Sequence, residues 1–249
     1  CYTPEHMLQL AAQQFEVPQN KLDQCIQQAL NQETLIFEDQ QRVYARPLVY
    51  YTERKIAKQI LQKLQTSRPM VNQWTGHQNS HVVLNTEQSN GVQQSFQHGV
   101  SIITGGPGTG KTTTLRTITD HAQDIGETWL LAAPTGRAAK RLAESTGQEA
   151  QTIHRLLKIN DAGIFQHNVD NPLECDGILV DEASMLDIWL LNALLNATKP
   201  YARLVLVGDV EQLPSVGTGQ ALKDLIDSNV IPVTRLTRIY RQAQNSSII

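Results

Sequence analysis

The sequence predicts an α/β fold: a parallel sheet with helices on both faces, preceded by a small α+β unit. Three observations carry that prediction. Short apolar runs without period-two alternation recur from Ser101 onward, as strands buried on both faces require. Helix-compatible segments separate those runs, which is the signature of a parallel sheet. The stretch before them reads instead as helix, helix, hairpin.

In chain order, Thr3-Pro4-Glu5 opens a first helix with proline at its first helical position, and Leu8, Ala11, Ala12 and Phe15 follow at helical spacing. A second helix follows Pro18, carrying Leu22, Ile26, Ala29 and Leu30 on one side. Leu35-Ile36-Phe37 and Arg42-Val43-Tyr44 flank the polar turn Glu38-Asp39-Gln40-Gln41, a hairpin pattern. Thr52 and Glu53 open a third helix striped by Ile56, Ile60, Leu61 and Leu64. That outline, over residues 1–67, is winged-helix-like; the outline alone does not decide between DNA binding and protein packing. Residues 68–83, polar with Gly and Asn, read as a linker. Beyond it, strands are expected at 101–104, 129–133, 177–181, 203–207 and 231–234. The intervening helices are expected at 113–124, 136–145, 187–197 and 219–227. Between them, residues 157–176 read as an insertion with a hairpin around Asp161-Ala162-Gly163.

The 249 residues, 40% hydrophobic, have an ordinary globular composition. No apolar run approaches the ~20 residues of a membrane span, and no signal peptide opens the chain. Cys1, Cys25 and Cys175 are scattered and odd in number, which fits neither a disulfide framework nor a zinc cluster and points to a cytoplasmic protein. A net charge of −3 argues against wholesale attraction to nucleic acid but leaves room for a local basic groove. A chain that starts on Cys1 and ends on Ile248-Ile249 reads as a piece of a longer protein, expected to be monomeric.

Gly105-Gly106-Pro107-Gly108-Thr109-Gly110-Lys111-Thr112 has G-x-x-x-x-G-K-[ST] spacing, between an apolar strand and a helix. Glycines let backbone N–H groups turn inward around phosphate oxygens, and the helix N-terminus adds a positive dipole end. Nucleotide contacts are therefore expected from Gly106, Pro107, Gly108, Thr109, Gly110, Lys111, Thr112 and Thr113. Lys111 would reach the terminal phosphates and Thr112 would offer its hydroxyl to Mg²⁺. Downstream, Ile178-Leu179-Val180 ends in Asp181-Glu182. In phosphate-loop ATPases an acid here holds Mg²⁺, which assigns the metal to Thr112 and Asp181; Glu182 would orient or deprotonate the attacking water.

Asp181-Glu182-Ala183-Ser184-Met185 resembles the DEAS box of RecD/TraA-type superfamily 1 DNA helicases. Gly208-Asp209-Val210-Glu211-Gln212-Leu213-Pro214-Ser215-Val216-Gly217 resembles their third motif. Ala133-Pro134-Thr135-Gly136-Arg137-Ala138-Ala139-Lys140-Arg141-Leu142 is similar to motif Ia, and Thr152-Ile153-His154-Arg155 to the short box after it. Leu84-Asn85 with Gln88 resembles the Q motif, and Tyr240-Arg241-Gln242 the start of motif IV. The resemblance implies a RecA-like phosphate-loop fold, the cofactors ATP and Mg²⁺, and 5′-to-3′ unwinding of DNA in recombination or repair. The winged-helix-like N-terminal unit makes the chain look more like the stand-alone bacterial RecD-like enzymes than the exodeoxyribonuclease V alpha subunit of the same family.

Residue by residue, the resemblance makes Gln88 the adenine reader, Gln212 a sensor of γ-phosphate and water, and Arg241 a planar fork for the γ-phosphate. With Lys111, Asp181 and Glu182 these complete the expected catalytic set. Pro134, Thr135, Gly136 and Arg137, at a strand-to-helix turn, would hold a DNA phosphodiester, and Thr152 and His154 would extend that track. Lys140 and Arg141 could equally be solvated helix residues. The insertion would be a strand-separating pin, with Phe165 able to stack on a base, or a plain surface hairpin. Single-stranded DNA and duplex ends are the implied partners, with no membrane role and with protein partners possible through the N-terminal unit. The second motor domain of such a helicase is absent, so residues 84–249 would bind Mg·ATP yet turn it over slowly. A non-motor ATP switch, a DNA-loading ATPase and a relaxase-linked conjugative helicase are the alternatives.

Overall fold

The structure, a computed structural model, describes residues 2–66, 83–212 and 217–240. The chain divides into two compact units, Cys1–Lys58 and Gln59–Ile249.

The first unit is a small α+β arrangement. Strand β1 (Tyr2–Pro4) leads into helices α1 (Glu5–Gln14) and α2 (Gln19–Asn31), the hairpin β2 (Ile36–Glu38) and β3 (Val43–Ala45), and helix α3 (Pro47–Thr66). The antiparallel order is β1-β3-β2, with Tyr2 and Ile36 both opposite Ala45. Strand β1 lies where the sequence suggested only a helix start, and Pro4 precedes α1 rather than opening it. Three residues are too few for a periodic signal. The expected inner stripe of α1 is corrected as well. Only Ala12 is buried, Ala11 is exposed and Phe15 is 75% exposed. Spacing tells which residues share a face, not whether anything covers it. Helix α3 begins at Pro47, ahead of the expected Thr52, because proline suits a first helical turn and lacks only an N–H that would be unpaired there.

Because α3 runs to Thr66, the division between units falls inside it rather than after Ser67. The stretch from Gln59 is anchored within the second unit. Gln59 Nε2 donates to Asn196 Oδ1 (3.0 Å), and the Thr66 hydroxyl donates to the Pro200 carbonyl (3.1 Å). Lys63 is 2% exposed, its ammonium donating to the carbonyls of Lys199 (2.6 Å) and Ala202 (2.8 Å).

The second unit continues with α4 (Thr86–Gln97), β4 (Val100–Gly105), α5 (Lys111–Asp124), β5 (Trp129–Ala133) and α6 (Gly136–Thr146). Then come β6 (Ala150–Thr152), α7 (Ile153–Leu156), β7 (Gly177–Val180), a single 3₁₀ turn (Ala183–Met185), α8 (Ile188–Ala197), β8 (Arg203–Gly208), α9 (Ala221–Asp227) and β9 (Val233–Leu236). Six strands, all parallel, take the order β6-β5-β7-β8-β4-β9. Every residue of β7 and β8 is buried, which is why both are apolar apart from Arg203 at the start of β8. The packed core gathers Phe96, Ile103, Leu115, Ile118, Leu179 and Val205, each at most 2% exposed.

Two elements carry no clear signal in sequence. Helix α4 buries only Val92 and Phe96 among large apolar residues, and β6 is three residues long. Strand β9 lies two residues later than expected, in register Ile102↔Val233 to Gly105↔Leu236. At the N-terminal edge of the sheet, Arg203 is 4% exposed and satisfied by Glu127 (2.8 and 2.9 Å) and by the Phe96 carbonyl (2.9 Å). The opposite edge collects the loops that follow β4, β5, β6, β7 and β8, where open α/β sheets bind ligands. No helix among the described residues is long and apolar enough to cross a membrane.

Candidate functional site

The loop after β4 wraps a cavity of about 780 Å³, within the usual range for small-ligand sites. Its wall contains Gln88, Gly106, Pro107, Gly108, Gly110, Lys111, Thr112 and Thr113, together with Glu182 and Gln212. Gly110 sits at φ +87°, and a Cβ there would also run into the Gln88 amide. A Cβ on Gly106 would meet nothing within 4 Å, so that backbone faces open space. Helix α5 starts at Lys111 without a side-chain cap. Its first N–H groups have no intrahelical partner and are left for a ligand. Thr109 is buried, and its hydroxyl donates to the Gly106 carbonyl (2.8 Å), bracing the loop from behind rather than lining it. The Lys111 ammonium folds back on the carbonyls of Gly105 and Gly106, the latter at 3.0 Å. An uncapped helix, a nearby cation and an open glycine backbone suit a polyphosphate.

Asp181 lies at the end of β7. Burial pushes its carboxyl above the ordinary aspartate range, opposed by the Glu182 N–H (2.9 Å) and by the Lys111 charge. Glu182 takes the left-handed conformation at φ +53°, uncommon for a residue with a Cβ. That kink swings the chain out of the strand into the 3₁₀ turn, and Glu182 lines the cavity while Asp181 stays behind it. Gln212 follows β8 on a loop organised by Asp209, which is 5% exposed. Asp209 accepts from the Glu211 N–H (3.1 Å) and from Gln212 Nε2 (3.3 Å). Among the described residues no three His, Cys, Asp or Glu side chains cluster into a self-sufficient metal cage. Mg²⁺ sites lean instead on one or two protein oxygens plus phosphate and water.

Gln88 has an engaged amide. It forms a capping box with Asn85 (2.7 and 3.0 Å), and its Nε2 donates to the Gly110 carbonyl (3.3 Å). The residue thus links the start of α4 to the loop after β4, with one amide hydrogen left over. Arg241 lies outside the described residues, as do Leu213-Pro214-Ser215-Val216 and most of the expected linker.

The polar track of the second group is assembled by sheet pairing. Ala133 lies opposite Thr152, so the exits of β5 and β6 are adjacent. Each exit is capped by a threonine: Thr135 accepts from Ala138 N (3.3 Å), and Thr152 from Arg155 N (3.2 Å). Gly136, Arg137 and His154 are exposed and Pro134 is half-buried beside them. The insertion forms a minimal hairpin with one bridge, Ile159↔Phe165, and the Phe165 ring lies 5.9 Å from that of His154.

Three residues that the sequence reading left out of the site also line the cavity, Val83, Arg141 and Tyr240. Tyr240 reaches it because its N–H donates to the Gly108 carbonyl (2.8 Å). Arg141 lies in the stretch similar to motif Ia, where nothing local distinguishes it from Lys140.

A family profile described as "AAA domain" matches residues 88–218, from the α4 cap through the loop after β8. The chain belongs to the AAA domain family. The chain is 40% identical over 212 residues to the ATP-dependent RecD2 DNA helicase of Deinococcus radiodurans, covering 84% of this chain and 29% of that protein. It is 41% identical over 164 residues to the RecBCD enzyme subunit RecD of Mycobacterium tuberculosis, covering 57% of this chain and 28% of the other. Among solved structures, the Pif1 helicase of Candida albicans matches with a TM-score of 0.51 at 26% identity, over 65% of this chain and 41% of that one. The chain is thus homologous to RecD-like superfamily 1 helicases and spans less than a third of the length of these curated relatives. This AAA domain shares the parallel sheet and flanking helices of RecA-like nucleoside triphosphatases.

Proposed function

We propose that this chain is the first motor domain of an ATP-dependent DNA helicase that moves 5′ to 3′ along single-stranded DNA in recombination or repair. One observation carries the reading: the uncapped start of α5, Glu182 and Gln212, from three different loops, face one cavity.

In this reading the backbone of residues 106–110 and the first turn of α5 cradle the phosphates. The Lys111 ammonium leaves the carbonyls of Gly105 and Gly106 for the terminal phosphates. Thr112 and Asp181 hold Mg²⁺, which supplies neutralisation of phosphate charge. Glu182 accepts a proton from the attacking water, and Gln212, steadied by Asp209, orients that water. Arg241 supplies a second cation. The capped turns at Thr135 and Thr152 present hydroxyls and free N–H groups to a phosphodiester track, flanked by Arg137 and His154. The insertion with Phe165 serves as the strand-separating pin, and the N-terminal unit as a winged-helix-like module for duplex DNA or a protein partner. The β1-β3-β2 sheet order supports that last assignment.

The test is strand displacement by the full-length protein on 5′-tailed and 3′-tailed duplexes with ATP. Unwinding confined to the 5′-tailed substrate and lost in Lys111→Ala is expected. Unwinding of the 3′-tailed duplex alone would overturn the polarity, and unchanged nucleotide affinity in Lys111→Ala would overturn the site.

A further inference from the structure

We propose that Glu87 is a positioning residue of the nucleotide site: it fastens the segment leaving β9 to the first turn of α4 and so holds Tyr240 against the phosphate loop. The inference rests on the nucleotide reading above. The β4–β9 ladder ends at Leu236. Immediately beyond it, Glu87 accepts from the Thr237 N–H (2.7 Å) and the Thr237 hydroxyl (2.5 Å), and at longer range from the Arg238 N–H (3.4 Å). Those bonds hold the Glu87 carboxyl below its ordinary range, so it remains a charged acceptor. The segment then runs to Tyr240, whose N–H reaches the Gly108 carbonyl (2.8 Å) and whose phenol approaches Gln88 Oε1 (3.5 Å).

Successive residues of α4 therefore grip two sides of one cavity: Gln88 holds the loop and Glu87 holds the exit segment. The capping box belongs to Asn85 and Gln88, so α4 does not need Glu87 to start. Phosphates are met by the loop and α5; Tyr240, outside both, is left to meet the part of the ligand beyond the phosphates. Glu87 thus governs affinity for that part without touching it. It also ties the path out of the domain to nucleotide occupancy.

The experiment is calorimetry on the 249-residue chain with ADP and with tripolyphosphate, each with Mg²⁺, for wild type, Glu87→Ala, Glu87→Gln and Thr237→Val. Glu87→Ala is expected to weaken ADP binding about tenfold, the scale of one charge-assisted hydrogen bond, and to leave tripolyphosphate unchanged. Glu87→Gln, which keeps one acceptor oxygen, and Thr237→Val should each weaken ADP by about threefold. Thr237→Val removes a single hydroxyl and keeps the test alive if Glu87→Ala fails to fold. Wild-type ADP affinity in both Glu87→Ala and Thr237→Val, or equal weakening of tripolyphosphate, would overturn the inference while leaving the nucleotide site standing. If the wild-type chain binds neither ligand, or Lys111→Ala binds both normally, the underlying reading fails and this inference falls with it.

Discussion

Lys63 offers a sharp physical test, because its charge is buried against carbonyls rather than a carboxylate. Burial lowers its ammonium from 10.5 to about 8. The unfolded chain therefore binds more protons than the folded one between those values, and stability must rise with pH through that window. The full gap corresponds to about 3 kcal/mol, and about 1 kcal/mol of it should be gained between pH 8 and 9. Cys175 acts in the opposite sense. Burial pushes its thiol from 9.0 up to about 12, so above pH 9 the unfolded chain loses a proton that the folded chain keeps, and stability falls. Wild type should gain stability from pH 7.5 to 9, level off to about 10.5 as the two effects offset, and lose stability beyond. Cys175→Ala should keep rising to about 10.5, and Lys63→Met should show no gain between pH 8 and 9. Urea unfolding followed by tryptophan fluorescence reads the right unit, since Trp129 and Trp189 lie within Gln59–Ile249. If Lys63→Met retained the wild-type slope between pH 8 and 9, the assignment of that slope to a buried ammonium would be wrong.

Other expectations follow from the same contacts. Glu127→Ala leaves the Arg203 guanidinium buried without its carboxylate and should cost about 3 kcal/mol in urea unfolding. Because the pair sits at the sheet edge opposite the cavity, nucleotide affinity measured below the transition should be unchanged. Gly110→Ala forces a side chain to φ +87° and displaces the Gln88 amide, so stability should fall by about 1–2 kcal/mol and calorimetric nucleotide binding should be lost. Asp209→Ala frees Gln212 without altering the phosphate loop; steady-state assays of the full-length protein should show kcat falling at least about tenfold while KM stays near wild type.

The chain's own order of residues determined the local features. Buried strands such as β7 and β8 must be apolar wherever no partner satisfies a polar group, and so announce themselves. The loop after β4 carries glycine, lysine and threonine at fixed spacing, and several helix starts have proline or a capping side chain close by. All of these are short-range demands, satisfied within a few residues of backbone. What tertiary structure decided concerns partners far apart in sequence. Strand order put Thr135 beside Thr152, because Ala133 pairs with the end of β6. A ladder that stops at Leu236 and a carboxylate on α4 brought Tyr240 to the cavity. Lys63 occupies what the helical stripe would give to an apolar residue, because two carbonyls of a distant loop replace its water. Phe15 keeps the periodicity of a core position and stays in solvent. Periodicity fixes the direction in which a side chain leaves its helix; only the assembled fold supplies what it meets there.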